Sequence, residues 1–188
     1  MKLVFIRHSA SLVNPDIPID SWGLSEEGIV LAQKLHENSN VQKIQIVYAS
    51  LQPKAIETAI YATKNKGIYI RTDVRLTEIT SFTRNFQPLA ELEANTQKFY
   101  KGEIDRLYDG ESKEEALQRF NQAIHEIVAK EYDKDYVGIV SHGAVLSFFF
   151  SQYNRKNPLT LLHEIKQPDV AVIDWETKEI QNPFSVYC

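Results

Sequence analysis

The chain has 188 residues, 43% hydrophobic and 24% charged, proportions of an ordinary soluble globular protein, with a formal charge of −4. That length supports one domain, residues 1–188, whose core needs no disulfide or metal. No block of Lys or Arg is present to track a phosphate backbone, so a generic nucleic-acid surface is excluded, whereas a small anion in a locally positive pocket is not. The one cysteine, Cys188, cannot form an internal bridge, and no secretory leader is visible. The longest apolar stretch, 144–150, is broken by Ser147 and far too short to span a bilayer. A cytoplasmic location without membrane contact is expected.

In chain order, Leu3 to Ile6 is a short apolar run that predicts a buried strand, followed at once by Arg7 and His8. Ser9 to Trp22, with Asn14, Pro15, Asp16 and Pro18, reads as a loop. Ser25 is placed to cap a helix over 26–37 that carries Glu26 and Glu27 in its first turn. A strand over 44–49 is expected next. Ser50 is then expected to cap a second helix, with Pro53 in its first turn and an apolar face of Ala55, Ile56, Ala59 and Ile60. Residues 68–71 read as a short strand, and Glu78 lies in an apolar connection.

Residues 80–111 are the least regular, polar and dotted with aromatics, with a helix around 88–99; such an excursion suits a lid or specificity insertion. Ser112 to Glu115 forms a capping box, and the helix it opens gathers Ala116, Leu117, Phe120, Ala123, Ile124, Ile127 and Val128 on one face. A strand over 136–141, a helix over 143–153, and two closing strands near 169–175 and 178–182 complete the chain. Alternating strands and amphipathic helices predict an α/β fold with a mainly parallel sheet covered on both faces and an antiparallel pair at one edge. Ligands of such sheets bind beyond the carboxyl ends of the strands, where Arg7, His8 and His142 would meet.

Taken singly, each feature has a plainer reading: Arg7 as a strand-end ion-pair partner, Lys54 as a solvated surface charge, Glu78 as an exposed carboxylate. Read together, they resemble the histidine phosphatase superfamily, also called phosphoglycerate mutase-like. The resemblance spans nearly the whole chain and rests on Arg7-His8-Ser9-Ala10-Ser11 with Asn14, Leu24 to Gly28, Ser50 to Ala59, Leu76-Thr77-Glu78, Gly110-Glu111-Ser112 and Val140 to Gly143. It implies a three-layer α/β/α sandwich and a phosphomonoester hydrolase, with His8 accepting the phosphoryl group. Arg7, Lys54 and His142 would surround the phosphoryl oxygens, and Glu78 would protonate the leaving oxygen and then deprotonate the attacking water. Asn14, Ser11, Ser9 and Gly143 would be supporting contacts. It implies no metal and no cofactor, and a small phosphorylated substrate or a phosphoprotein as partner. Three alternatives remain: a mutase-type phosphotransferase, a non-catalytic binder of phosphorylated ligands, and a metal site of His8, His142 and Glu78. Arg7 beside His8 counts against the last. The substrate and the oligomeric state are not legible.

The chain departs from the family pattern at four places. Ser9 stands where the motif has glycine, and its hydroxyl would either reach the phosphate or crowd it. Ala10 stands in place of a frequent acid, and Ser11 in place of threonine. Lys54 replaces the second arginine, keeping the charge but losing the planar two-pronged donor set. One such contact is worth about 1–3 kcal/mol. Lys54→Arg is therefore expected to leave the fold unchanged and raise turnover of a generic phosphomonoester, measured as phosphate release. A fall instead would mark Lys54 as fitted to its own substrate.

Overall fold

The structure is a computed structural model that describes residues 1–64, 66–79, 89–107 and 110–184. Among these, six strands form one sheet: β1 (Lys2–Arg7), β2 (Ile46–Ala49), β3 (Ile70–Thr72), β4 (Tyr136–Ser141), β5 (Asp169–Asp174) and β6 (Glu179–Asn182). Their order is β3-β2-β4-β1-β5-β6. β1, β4, β2 and β3 run parallel, and β5 and β6 add the antiparallel edge. The helices are α1 (Glu26–Lys34), α2 (Pro53–Ala62), α3 (Leu89–Lys101), α4 (Lys113–Lys130), α5 (Gly143–Asn154) and α6 (Pro158–Glu164). None is long and apolar enough to cross a membrane.

β1 explains the layering. Leu3, Val4, Phe5 and Ile6 are all fully buried, and successive side chains of a strand point to opposite faces. Such a strand must be covered on both sides. Leu3 and Phe5 belong to a cluster with Phe120 and Ile124 of α4 and Phe149 and Phe150 of α5. Val4 and Ile6 pack instead with Ala55, Ala59 and Ala62 of α2 and with Leu35. Phe5 lies 5.0 and 5.2 Å from Phe149 and Phe150, centroid to centroid. Each ring buried there contributes about 1.5–3 kcal/mol.

Local signals set the helix starts. Ser25 Oγ accepts the Gly28 N–H at 3.0 Å, and α1 tightens after Lys34 into a 3₁₀ turn over Leu35–Glu37. Ser112 and Glu115 form the expected reciprocal box at the start of α4. α5 is apolar nearly all round, from Val145 to Phe150, and is accordingly sunk in the core. Between α5 and β5 lies α6, which the sequence reading lacked. Asn157 caps it through Oδ1, with Pro158 at its first position.

Two expectations about α2 need correction. Its N-cap is Gln52, and Ser50 stands outside the helix. Its buried face is Ala55, Thr58, Ala59 and Ala62, while Ile60 is 48% exposed, because only the small side chains let α2 lie close to the sheet. The helix expected near 88–99 is α3. The sequence offers the excursion's aromatics either as core or lid packing or as the lining of an apolar leaving-group pocket. Of these, Phe99 and Tyr100 belong to α3, while Phe82 and Phe86 lie outside the described residues. So do Cys188 and Arg84, the latter a sequence candidate for holding a second anionic group of the substrate.

α1 crosses the loop after β1 so closely that a Cβ on Gly28 would sit 2.0 Å from the Ala10 carbonyl oxygen. Ser25 N–H donates to that same oxygen, so the contact is a fixed hydrogen-bonded one. Gly28→Ala is expected to cost about 3 kcal/mol, read as a lowered urea midpoint with an unchanged slope.

Candidate active site

The pairing of β1 with β4 builds the site. Arg7 lies opposite Ser141, and the His8 N–H donates to the Ser141 carbonyl at 2.9 Å, extending the ladder one residue past the strand. His8 and His142 therefore leave adjacent strands side by side, their ring centroids 4.9 Å apart and tilted by 57°. β2 ends next to β4, and its last residue is followed by Ser50, whose Oγ lies 2.7 Å from His142 Nε2. That hydroxyl also accepts the Gln52 N–H. Ser50 thus steadies the second imidazole instead of capping α2.

Both His8 and Lys54 are buried. His8 Nδ1 lies 2.7 Å from the Ser9 carbonyl oxygen, an acceptor, so Nδ1 carries the proton and Nε2 the lone pair. Burial pushes the His8 pKa down to about 3; the Lys54 and Arg7 charges push the same way, and the Ser9 carbonyl opposes them. The ring is thus neutral across the physiological range. Lys54 leaves the first turn of α2, its backbone N–H held by the Trp22 carbonyl and its Nζ by that of Ile19, 3.1 Å away.

Arg7 is held by the Ile165 carbonyl, 2.5 Å from its Nη1. Burial lowers its pKa, and the nearby Glu78, Tyr100 and Asp169 oppose that shift. Gly143 exists for this guanidinium: a Cβ there would lie 2.8 Å from Arg7 Cζ. The close approach that the glycine permits is thus that of Arg7.

Glu78 is fixed from two sides. Its Oε1 accepts the N–H groups of Ile79 and Val145, and its Oε2 that of Ala144, at 2.9–3.0 Å. The carboxylate therefore caps α5 with one lone pair left on Oε2. Behind it, the Arg119 guanidinium of α4 donates to the carbonyls of Arg75, Thr77 and Glu78 at 2.6–3.0 Å and is ion-paired with Glu111. Ser141 Oγ–H donates to the Leu76 carbonyl. Arg119 went unnoticed in the sequence, where it reads as one more polar residue of an amphipathic helix.

One cavity of about 400 Å³ is lined by Arg7, His8, Ser11, Lys54, Glu78 and His142. Three expected contacts are not among its lining residues. Ser9 is fully buried, its hydroxyl turned to the Gly28 carbonyl and its N–H to Thr58 Oγ1. It neither reaches nor crowds the cavity, and instead ties the end of β1 to α1 and α2. Asn14 Oδ1 accepts the Asp16 N–H in a turn of the loop, and Gly143 lies under Arg7. Among the described residues, no three His, Cys, Asp or Glu side chains are grouped to hold a metal ion. The arrangement can present a neutral imidazole lone pair and two cations to an anion, with a carboxyl group alongside.

The chain matches the model of the histidine phosphatase superfamily (branch 1) over residues 3–184, and it belongs to that family. Among solved structures it is similar to Bacillus stearothermophilus YhfR, with 20% identity, TM-score 0.79, and 99% of this chain and 98% of that chain covered. It is also similar to the alpha-ribazole phosphatase from Shigella flexneri, with 20% identity, TM-score 0.76, and coverage of 100% and 99%. A mycobacterial glucosyl-3-phosphoglycerate phosphatase in complex with VO3 gives 19% identity, TM-score 0.77, and coverage of 99% and 98%. A comparison with curated proteins finds no match.

The depressed His8 pKa makes a signed prediction. Unfolded, the imidazole binds a proton below about pH 6.5; folded, it does so only near 3. Its contribution to stability is therefore complete above 6.5 and is lost as pH falls from 6.5 toward 3. In the ligand-free protein, the His8 ring resonances in an NMR titration should stay constant from pH 8 to about 5. A midpoint near 6.5 would refute the neutral, buried ring.

Proposed function

We propose that the protein is a phosphatase that hydrolyses a phosphomonoester through a phosphohistidine on His8. The observation that carries this reading is the His8 tautomer, with Nδ1–H committed to the Ser9 carbonyl and the Nε2 lone pair available beside Arg7 and Lys54. His8 Nε2 attacks phosphorus, and the bond from phosphorus to the leaving oxygen breaks. Arg7, Lys54 and His142 offset the charge on the non-bridging oxygens, which is where most of the catalysis in phosphoryl transfer arises. Glu78 gives its proton from Oε2 to the leaving oxygen. It then takes one from water, whose oxygen attacks phospho-His8 and releases inorganic phosphate. His8 returns to its neutral form, its Nδ1 proton never having left.

The positive side chains supply the charge that a metal would supply elsewhere. Asn14, Ser9 and Gly143 act through the loop and through Arg7, and Ser11 touches the substrate directly. We also assign the segment containing α3 as a lid over the same single domain. The family match and the phosphatases named among the similar folds support hydrolysis over transfer to a second acceptor.

Acid-stable trapping is unsuited to a phosphoramidate, so the test is an alkaline quench after mixing with a ³²P-labelled aryl phosphate. Label should appear on wild-type protein and be absent from His8→Ala, with turnover unaffected by EDTA and blocked by vanadate. Glu78→Gln should slow turnover by about 10²–10⁴-fold while still taking up label from a substrate with a good leaving group. Labelled protein from His8→Ala would refute the assignment, and phosphate binding without turnover in the wild type would favour the binder.

A further inference from the structure

The cavity changes character away from its charged base. α3 turns Leu92, Thr96, Phe99 and Tyr100 toward it, at intervals of four, three and one residues, which is one face of a helix. Glu91, Glu93, Lys98 and Lys101, the charged residues of the same helix, are exposed and are not among the lining residues. Leu107, Leu162 from α6, and Val13 and Trp22 of the loop after β1 add further apolar surface to the lining. Tyr100 adds no charge: its ring stacks on Phe148 at 4.5 Å, and its hydroxyl lies 2.7 Å from Ser147 Oγ. Among the described lining residues, Arg7 and Lys54 are the fixed cations, and both lie with His8 at the charged base; Ser11, Thr96 and Gln167 are uncharged polar groups.

We infer that the alcohol portion of the substrate is an uncharged apolar group, aryl or alkyl, seated against the inward face of α3, and that esters carrying a second anionic group are selected against. The inference rests on the proposed phosphatase reading for the position of the phosphate, and it adds the class of leaving group. An apolar group there loses its contact with water and gains close packing. A carboxylate or second phosphate would lose hydration, and among the described lining residues no cation beyond Arg7 and Lys54 is there to receive it. Val13, a lining residue, is 59% exposed, and its neighbour Leu12 58%, so the apolar surface reaches the rim, where a ligand larger than the phosphate would cover it.

The test separates binding from chemistry. His8→Ala protein, its fold checked by circular dichroism, is titrated calorimetrically with α-naphthyl phosphate, 3-phosphoglycerate and inorganic phosphate. The naphthyl ester should bind at least about tenfold more tightly than inorganic phosphate, and 3-phosphoglycerate no more tightly than inorganic phosphate. The reverse order overturns the inference. The same order is expected in kcat/KM on the wild-type enzyme, which serves should the variant fail to fold. Thr96→Arg puts a cation on the half-buried α3 face and should cut the naphthyl preference by about tenfold or more; an unchanged ratio would remove α3 as its source. Tight naphthyl phosphate binding by wild-type protein that releases no phosphate would refute hydrolysis and leave the preference standing. Hydrolysis without preference would refute the preference alone.

Discussion

The parallel register of β1 with β4 is the constraint on which the rest of the structure depends. With Arg7 opposite Ser141, the residues that follow both strands come out at one height, and the His8 N–H completes the ladder on the Ser141 carbonyl. A slip of one residue would turn every side chain of β1 to the other face. It would also exchange the packing partners of Phe5 and Ile6, which belong to different cores. Site geometry and core packing are therefore one choice. The packing of β1 between its two cores, which fixes the strand, also fixes the distance between the two imidazoles.

Around that pair, backbone carbonyls do much of the positioning. The carbonyls of Ser9, Ile19 and Ile165 engage His8, Lys54 and Arg7 in turn, and those of Arg75, Thr77 and Glu78 are gathered by Arg119. Neutral acceptors steady these side chains without adding a negative charge of their own. They also fix the tautomer of His8, which a carboxylate partner would instead have charged.

Much of this was legible in the sequence because it rests on short-range pattern. The two strand-then-His stretches, the Ser112 box and the Ser25 cap are local, and the structure has all of them. Arg7, His8, Ser11, Lys54, Glu78 and His142 were singled out and share one cavity. What was not legible depends on distant partners. A serine before a proline looks like a cap whether or not a histidine from 92 residues away reaches its hydroxyl, as His142 reaches Ser50. Ser9 looks like a phosphate contact until Gly28 is seen to take its hydroxyl. Ile60 fits the helical periodicity of α2 and yet is exposed, because periodicity names a face and only packing tells how far round it is covered. α6 had its Asn157-Pro158 start in plain view, but seven residues give too little periodicity to read.

α5 serves two ends at once. Its first-turn amides grip the Glu78 carboxylate, while one turn further along Ser147 and Phe148 dock Tyr100 and so the inner face of α3. The proton carrier and the roof of the chamber are thus mounted on a single rod. Whatever rotates or slides that rod, a filling ligand or a bulkier neighbour in the phenylalanine-rich layer beneath, shifts both in the same stroke, so the shape of the guest and the aim of the acid are mechanically geared.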